Sequence, residues 1–394
     1  MIIGITTFGT DAGKSGISQY LFNILDQFTQ LDTETKFEIM VTESEKHLYE
    51  KYLEKDNFTA MIFPDKLSSP FRSILWHLLS LAKFSKARAY DVVFLPAANR
   101  RLPYNMPCPT VGTVHDLASM QFKNKYDALR GFYVRQILPI LIRKLDTVLT
   151  VSDYSKAVIH EYTHVAMEKI CVTHLAMDKE VFNTDSKSDA LQRLQQQYDI
   201  HGPFLLYIAR LEHPAKNHYQ LIEAFDQLKK KYNIPHQLVF TGALRERGEV
   251  VLERIKSSDY ATSIKYFNFV AYADLPDFYR AADIFVFPSL YEGFGLPILE
   301  AMACGTPVVC SNQASIPEVA GDAGLIFDPF NTEDITNKLH RMLMDSDLME
   351  EYRGRGLKRV TQFEWKKTAL QTYSALITHV DRSSEGNINH FMQY

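Results

Sequence analysis

Cysteine is scarce in this sequence, and the few cysteines lie far apart. The 394 residues include four of them, Cys108, Cys171, Cys304 and Cys310, with no C-x-x-C pair. This spacing excludes the disulfide framework that holds many small secreted domains together. A reducing compartment, the cytoplasm, is therefore the expected location.

Long apolar runs are also missing. No stretch reaches the ~18 apolar residues that a membrane-spanning helix needs. No basic segment precedes the first apolar run, so a secretory signal peptide is not expected. With 46% apolar and 23% charged residues, the composition is typical of a soluble globular protein. A chain of this length is expected to form two domains.

Acidic residues are rare in one part of the chain. The formal net charge is −4 overall, yet the window from Lys66 to Lys144 holds thirteen basic and three acidic residues, a local net charge of +10. Such a window indicates an anionic partner: a phosphate, a nucleic acid or an anionic membrane surface.

Short apolar runs that read as buried parallel strands alternate with helical patterns along the whole chain. This alternation predicts an α/β protein with two Rossmann-like, doubly wound domains facing across a cleft. The first domain is expected to span 1–185, joined by the C-terminal helix within 365–394, and the second to span 186–364. The segment 381–394 has no periodicity and is expected to be a loose tail. The strands are predicted at 1–8, 37–42, 91–96, 110–116, 147–152, 204–211, 237–243, 263–270, 282–289 and 306–311.

The loop after the first strand, "TTFGTDAGKSGISQY", is close to a nucleotide-binding P-loop without matching it. A P-loop has four residues between its two glycines, whereas Gly9 and Gly13 have three. The helix "GISQYLFNILDQF" follows directly. A strand, a glycine loop and a helix N-terminus together predict a position close to a bound anion.

Two groups of polar residues follow strands of the second half. Glu292 and Glu300 stand eight residues apart in "LYEGFGLPILEAMACG". Between them, the backbone N–H groups of 293–296 precede a helix, where they suit hydroxyl or phosphate oxygens. Arg210 ends an earlier strand, and Lys216 follows six residues later. Two such cations suit a diphosphate, although each group alone is also consistent with surface side chains.

Taken together and in this order, the two groups resemble a known family. Residues 204–330 resemble the nucleotide-sugar domain of a retaining glycosyltransferase of the GT-B fold, family 4. The first half is similar to the same family in "GISQY", "TVGTVHDL" and "VSDYSKAVI". The matching pieces of the second half are "ARLEHPAKNHYQLIEAF", "LPDFYRAADIFVFPSLYEGFGLPILEAMACGTPVV" and "SNQASIPEVAGDAGLIFDP".

The resemblance implies a role for each matching residue. Arg210 and Lys216 would hold the diphosphate of the donor, and Glu300 its ribose hydroxyls. Glu292 would hold the hydroxyls of the donor sugar, and His115 would contact that sugar near the reacting carbon. The remaining donor-binding residues implied are Gly16 beside the diphosphate, Val270 at the base-contacting turn, and the amides of Gly293, Phe294, Gly295 and Leu296.

Two departures from the family pattern accompany the resemblance. Ser15 stands where the first of two glycines is usual, so that only Gly16 matches that pair. Asn268 stands where glycine usually precedes the base-contacting turn, which weakens any prediction of the base.

The implied activity is the retaining, metal-independent transfer of a hexosyl unit from a UDP- or GDP-linked sugar. The acceptor would be a hydroxyl of a saccharide or of a lipid-linked saccharide, in bacterial polysaccharide or glycolipid synthesis. No cofactor is expected besides this nucleotide-sugar co-substrate. Two alternatives stay open: a GT-B-fold sugar-nucleotide epimerase, and a non-enzymatic protein that binds anions or nucleic acid through its basic window. No specific nucleic-acid motif is present.

Three other features are interpreted as structural. "HEYTH", 160–164, matches the pattern of a zinc protease but lacks the third ligand of the longer metzincin pattern. "DSD", 345–347, is interpreted as a helix N-cap or turn. His213 and His218 are expected at the surface.

The segment 70–90 has the pattern of a basic amphipathic helix. Its apolar positions recur at helical spacing, and its cations gather mostly at its C-terminal end, with Trp76 between. The segment is expected either to make peripheral contact with an anionic membrane or to pack its apolar stripe on the sheet. The predicted stripe consists of Phe71, Ile74, Leu75, Leu78, Leu79 and Ala82.

Overall fold

The structure is a computed structural model that describes residues 1–13, 15–31, 33–121 and 131–378. Lys14, the basic residues Lys123, Lys125 and Arg130, and the segment 381–394 lie outside the described residues. The chain divides into two compact units. Among the described residues, unit 1 contains those from 1 to 175 and from 365 to 378, and unit 2 contains those from 176 to 364.

Unit 1 is built on a parallel sheet of seven strands in the order β3-β2-β1-β4-β5-β6-β7. Its central strands are buried on both faces, which explains their nearly continuous apolar sequences. The strands are β1 Ile2–Thr6, β2 Lys36–Thr42, β3 Phe58–Phe63, β4 Val92–Leu95, β5 Thr110–Thr113, β6 Thr147–Thr150 and β7 Ile170–Val172.

Helices cover both faces of this sheet. The described α-helices are Gly16–Phe28, Glu50–Leu53, Pro70–Leu79, Leu81–Arg88, Ala118–Gln121, Leu138–Ile142, Asp153–Thr163 and Trp365–Ile377, with 3-10 turns at Glu43–Tyr49, Asp65–Ser68 and Met167–Lys169 and a π turn at Tyr133–Ile137.

Unit 2 has a parallel sheet of six strands in the order β10-β9-β8-β11-β12-β13. The strands are β8 Phe204–Ile208, β9 Gln237–Thr241, β10 Ile264–Phe267, β11 Ile284–Phe287, β12 Val308–Ser311 and β13 Gly324–Phe327. The α-helices are Lys187–Tyr198, His218–Tyr232, Gly248–Lys256, Leu275–Ala281, Leu296–Ala303, Ile316–Ala320, Thr332–Met344 and Ser346–Val360, with 3-10 turns at Ala261–Ser263, Tyr272–Asp274 and Gly321–Ala323.

Both sheets reverse their strand order at one place, between β1 and β4 in unit 1 and between β8 and β11 in unit 2. At such a switch point the two loops that leave the carboxyl ends of neighbouring strands diverge, and a crevice opens between them. The glycine loop follows β1, the Arg210–Lys216 segment follows β8, and Glu292 follows β11. The glycine loop of unit 1 and the Arg210–Lys216 and Glu292 loops of unit 2 thus lie at the switch points of their sheets, whereas His115 follows β5.

The predicted α/β class with two Rossmann-like domains is confirmed, but the boundary between the units differs from the predicted one. Residues 176–185 belong to unit 2 and not to the first domain. Phe182 packs edge-on against Tyr279, with ring centroids 5.8 Å apart. The guanidinium of Arg280 donates to the backbone carbonyls of Val181 and Asn183. These contacts tie the linker to the helix Leu275–Ala281.

The described part of the chain contains no helix that is both long enough and apolar enough to cross a bilayer.

Gly242, which follows β9, allows the loops after β8 and β9 to approach each other closely, because it has no side chain. Its φ is +144°, and a Cβ at this position would lie 2.1 Å from the carbonyl oxygen of Ala209. Neither the backbone angle nor the space admits a side chain. The backbone nitrogen of Arg210 would also be close to this Cβ, at 2.9 Å.

We predict that Gly242→Ala lowers the free energy of unfolding by about 3 kcal/mol or more, because both strain and overlap must be relieved. Gly354, in the exposed middle of the helix Ser346–Val360, has no neighbouring atom within 4 Å of a Cβ. Gly354→Ala should stabilise the protein by about 0.5–1 kcal/mol. Urea unfolding of both variants measures the difference, and equal stabilities would contradict this account of Gly242.

Candidate active site

The loop after β8 carries the two predicted cations and an acidic residue that links them. The guanidinium of Arg210 lies 3.3 Å from the carboxylate of Glu212, which is 6% exposed. The backbone N–H of Lys216 donates to the carbonyl oxygen of Glu212 at 3.2 Å. Glu212 therefore fixes the path of the loop between Arg210 and Lys216. Sequence reasoning missed it because only its contacts distinguish it from a surface glutamate.

The loop after β11 carries Glu292 and leads into the helix Leu296–Ala303. The hydroxyl of Ser315 donates to the carbonyl oxygens of Glu292 and Phe294, at 2.9 and 2.7 Å. Gly295 adopts φ +109°, the left-handed region, and the helix begins at the next residue. Residues Gly293 to Leu296, whose amides were predicted to bind the donor, thus form the turn that begins this helix. The hydrogen bonds from Ser315 stabilise this turn.

Lys216 and Glu292 form an ion pair that joins the two loops. The Nζ of Lys216 donates to Oε1 of Glu292 at 2.7 Å, and the side chains are only 13% and 16% exposed. An ion pair this sheltered from water interacts much more strongly than a pair on an open surface. The two residues that the sequence assigned to neighbouring parts of one ligand are therefore in direct contact.

Tyr207 on β8 supports both loops from inside the sheet. Its hydroxyl donates to the carbonyl oxygen of Lys216 at 2.7 Å and lies 2.9 Å from the hydroxyl of Ser289, which follows β11. Burial raises the pKa of Tyr207 well above its ordinary value, so the phenol stays protonated. One side chain thus connects the backbone at Lys216 with the start of the Glu292 loop.

The expectation for His218 is wrong, because this residue is buried. It is 1% exposed, and its ring lies 4.6 Å from the ring of Tyr207. Burial lowers the pKa of His218 to about 3, with a smaller contribution from the charge of Lys216. The imidazole is therefore neutral. It packs in the core next to the loop that carries Lys216.

Glu300 lies in the second turn of the helix Leu296–Ala303. Its Oε2 accepts a hydrogen bond from the hydroxyl of Tyr279 at 2.6 Å. Burial raises the pKa of Glu300 to about 7, and this hydrogen bond partly offsets the rise. The second oxygen of the carboxylate remains an acceptor that a ligand hydroxyl could use.

The turn after β10 contains Asn268 and Val270. The Oδ1 of Asn268 accepts hydrogen bonds from the backbone N–H of Leu244 and from the hydroxyl of Tyr266, both at 3.0 Å. Asn268 therefore joins the loops that follow β9 and β10, a link that glycine could not make. Val270 follows as a buried residue, 9% exposed.

Unit 1 carries Gly16 and His115, both after strands of its sheet. Gly16 is the first residue of the helix Gly16–Phe28, capped by the hydroxyl of Ser15, and no atom lies within 4 Å of a Cβ placed on it. The Nε2 of His115 lies 3.0 Å from the carbonyl oxygen of Pro96. Because a carbonyl only accepts, Nε2 carries the proton and Nδ1 is left as an acceptor. Burial lowers the pKa of His115 to about 4, so the ring is neutral.

The motifs that the sequence interpreted as structural have structural roles. Asp345 of "DSD" is the N-cap of the helix Ser346–Val360 and accepts from the N–H of Leu348 at 2.9 Å, which confirms that prediction. In "HEYTH", His160 is hydrogen-bonded through Nδ1 to the carbonyl oxygen of Val165 at 2.8 Å. His164 ends the helix with φ +56°. The second histidine is therefore outside the helical geometry that a zinc protease uses.

Comparison with known proteins identifies the family of this chain. Residues 15–181 match the profile of "Glycosyltransferase Family 4", and residues 192–359 match that of "Glycosyl transferases group 1". The O-antigen chain mannosyltransferase B of Escherichia coli is 34% identical over 288 residues, which cover 73% of this chain and 75% of that protein. The protein belongs to glycosyltransferase family 4. The family expected from the sequence is thereby confirmed.

Two further matches place this family-4 glycosyltransferase among known structures and sequences. The serotype-specific mannosyltransferase WbdA of Escherichia coli is 31% identical over 67% of this chain, although the match spans only 33% of that longer protein. The structure of Anabaena Alr3699/HepE with UDP-glucose superposes with a TM-score of 0.71, at 19% identity over 96% of this chain and all of that one. The GT-B fold expected for the glycosyltransferase is confirmed, whereas the roles assigned to single residues stay predictions.

We predict that Glu300 makes the stability of the glycosyltransferase depend on pH. Since its pKa rises from 4.5 unfolded to about 7 folded, the stabilising proton is fully bound below about pH 4.5 and is lost as the pH rises through about 7. Glu300→Gln cannot ionise. Its free energy of unfolding relative to that of the wild type should therefore be about 2 kcal/mol higher at pH 8 than at pH 5. Denaturant unfolding at both pH values measures this gain. Glu249→Gln, at an exposed position, is the control, and equal behaviour of the two variants would contradict the prediction.

Proposed function

We propose that this glycosyltransferase is a retaining mannosyltransferase that uses a nucleoside-diphosphate sugar, UDP- or GDP-linked, as donor. The observation that carries the proposal is the ion pair of Lys216 and Glu292, which joins the two loops at the switch point of unit 2. Mannose as the transferred hexose is favoured by the relatives, since those 34% and 31% identical to this chain are both mannosyltransferases.

In this proposal the ion pair opens when the donor binds. The donor diphosphate would attract Lys216 and Arg210, because its negative charge competes with the carboxylate of Glu292 for the ammonium group. Glu292 would then be free to accept hydrogen bonds from the hydroxyls of the sugar. Donor binding thus converts a structural ion pair into two ligand contacts, one at the phosphate and one at the sugar.

The transfer step needs charge stabilisation more than a protein base. The bond between the anomeric carbon and the diphosphate oxygen breaks, and the acceptor hydroxyl forms a bond to that carbon on the same face. The hydroxyl proton passes to an oxygen of the departing phosphate, and the configuration is retained. Arg210 and Lys216 stabilise the charge that grows on the diphosphate. With these two cations in that role, we propose that transfer requires no metal ion.

The remaining predicted residues would orient the donor. Glu300 would accept from the ribose hydroxyls through the oxygen that does not face Tyr279. Neutral His115 offers Nδ1 as an acceptor to a hydroxyl of the transferred sugar. Val270 and the amides of 293–296 would contact the base and the phosphate or sugar oxygens. Gly16 leaves room for the diphosphate at the start of its helix.

The acceptor in this proposal is a hydroxyl of a saccharide or of a lipid-linked saccharide in bacterial polysaccharide synthesis. The O-antigen mannosyltransferase among the relatives supports a polysaccharide product. The proposed location is the cytoplasm, with peripheral contact of the segment 70–90 at the inner face of the membrane.

A donor screen tests the proposed function. Thermal unfolding is measured with UDP, GDP and ADP, and then with their mannose and glucose conjugates. A true donor at 100 times its dissociation constant stabilises the fold by about 2.7 kcal/mol. Turnover with that donor should require an acceptor and should persist in EDTA. Epimerisation of the donor without an acceptor, or stabilisation by none of the nucleotides, would overturn the proposal.

We predict that Arg210→Ala and Lys216→Ala each reduce turnover by ~10²-fold or more, the loss typical of one donor to a developing negative charge. Lys256→Ala, at the exposed end of the helix Gly248–Lys256, should leave turnover unchanged. Because Lys216→Ala also leaves Glu292 without its partner, thermal unfolding of each variant accompanies the assay. Wild-type turnover in a folded Arg210→Ala or Lys216→Ala variant would remove that cation from the mechanism.

A further inference from the structure

The helix Pro70–Leu79 turns an apolar stripe to the outside of unit 1. Phe71, Leu75 and Leu79 follow one another at four-residue spacing and are 74%, 45% and 69% exposed. Side chains four residues apart lie on one face of a helix. The alternative considered from the sequence, in which this stripe packs on the sheet, is therefore wrong for these three residues.

The opposite face of the same helix holds it to unit 1. The ring of Trp76 packs against those of Phe8, Phe63 and Phe84, with centroids 5.3, 5.0 and 6.1 Å apart. His77 is fully buried one residue later. Trp76 therefore belongs to the core side and is not part of the exposed stripe. Trp76 and His77 attach the helix to unit 1, and Phe71, Leu75 and Leu79 are not needed for this attachment.

Three exposed cations lie on the helix that carries the stripe and on the helix that follows it. Arg72 on the same helix, and Lys83 and Lys86 on the following helix Leu81–Arg88, are exposed. Within the described part of the chain none of the three forms an ion pair, whereas Arg88 is paired with Glu38. The sequence from 66 to 90 contains no aspartate or glutamate. The helices Pro70–Leu79 and Leu81–Arg88 thus carry basic side chains and no acidic ones.

The helix that carries the stripe is attached to loops at the carboxyl edge of the unit 1 sheet. Phe8, which Trp76 contacts, follows β1, and Arg101, which donates from Nε to the hydroxyl of Ser73 at 2.8 Å, follows β4. These are the two strands at the switch point of unit 1. The glycine loop that precedes Gly16 follows β1 as well. The helix is therefore attached at the carboxyl edge of the sheet and not at the opposite edge.

We infer that the surface formed by Phe71, Arg72, Leu75, Leu79, Lys83 and Lys86, the docking surface, binds an anionic lipid bilayer and thereby selects a lipid-linked saccharide as acceptor. The three apolar side chains enter the interface between headgroups and acyl chains, and the cations contact the lipid phosphates. This inference rests on the proposed function, whose acceptor class it narrows.

Charge favours a bilayer over the other occupants of an apolar face. In a symmetric dimer the same patch meets itself, so that Arg72, Lys83 and Lys86 of the two copies would repel one another, and neither helix carries an acidic side chain that could offset the repulsion. A soluble anionic polysaccharide would satisfy the cations but would leave the three apolar side chains in water. An anionic bilayer satisfies both requirements.

Vesicle co-sedimentation tests the inference with two pairs of matched variants. Phe71→Ser/Leu79→Ser removes two apolar side chains, and Phe330→Ser/Met344→Ser is its control in unit 2, where these residues are 67% and 58% exposed. Lys83→Gln/Lys86→Gln removes two cations, and Lys366→Gln/Lys367→Gln is its control on the helix Trp365–Ile377. The vesicles contain phosphatidylcholine with increasing phosphatidylglycerol.

The wild type should bind more tightly as phosphatidylglycerol increases and more weakly as salt increases. The apolar variant should lose about 100-fold in affinity, about tenfold for each side chain. The lysine variant should lose about 25-fold, or fivefold for each cation, and both controls should bind like the wild type. Absence of wild-type binding at low salt, or a control that loses as much as its partner, would overturn the inference.

Turnover separates this inference from the proposed function. With a water-soluble acceptor fragment the Phe71→Ser/Leu79→Ser variant should match the wild type, and with a vesicle-bound acceptor it should be about 100-fold slower at low lipid. Equal loss on both acceptors would contradict membrane docking. A concentration-dependent dimer that the same variant dissociates would overturn the inference in favour of a second copy. Failure of the wild type on every acceptor would instead count against the proposed function.

Discussion

The ion pair between Lys216 and Glu292 is the interaction on which the arrangement of the donor residues depends. It spans the switch point of unit 2, where the loops after β8 and β11 would otherwise diverge. Tyr207, Ser289 and Ser315 hold the backbone of the same two loops by hydrogen bonds. A sheltered ion pair is costly to break unless another charge replaces the partner that leaves. The site is therefore suited to a ligand that carries its own negative charge.

Desolvation gives several groups of the site a fixed protonation state at neutral pH. His115 and His218 are kept neutral by burial, and Tyr207 is kept protonated. Glu300, with a pKa of about 7, is the exception, because burial and the hydrogen bond from Tyr279 oppose each other. The positive charges on these loops are those of Arg210 and Lys216, each paired with a carboxylate in the free protein, and neither buried histidine adds to them. This suits the electrostatic mechanism proposed above.

The sequence allowed much of the fold to be predicted, because parallel strands buried on both faces appear as continuous apolar runs. It did not reveal β3, which lies at the sheet edge and is half exposed, nor the short strands β7 and β13. In the site, Arg210, Lys216, Glu292 and Glu300 could be singled out because they follow predicted strands in the order and at the spacing of a known family. Tyr207 could not, since a tyrosine in an apolar strand looks like any core residue until its hydrogen bonds are known.

Unit 1 is formed from both ends of the chain, which has a consequence for the order of events during synthesis. The ring of Tyr373, on the helix Trp365–Ile377, lies 5.9 Å from that of Phe28, and its hydroxyl is hydrogen-bonded to Thr33 and Thr35. Unit 2 is formed from one continuous segment of the chain. When the helix Trp365–Ile377 has been synthesised and is still inside the exit tunnel of the ribosome, all strands of unit 2 have already emerged. Although domains generally fold from the N-terminus onward, the half of the enzyme that is translated first is the half that is completed last.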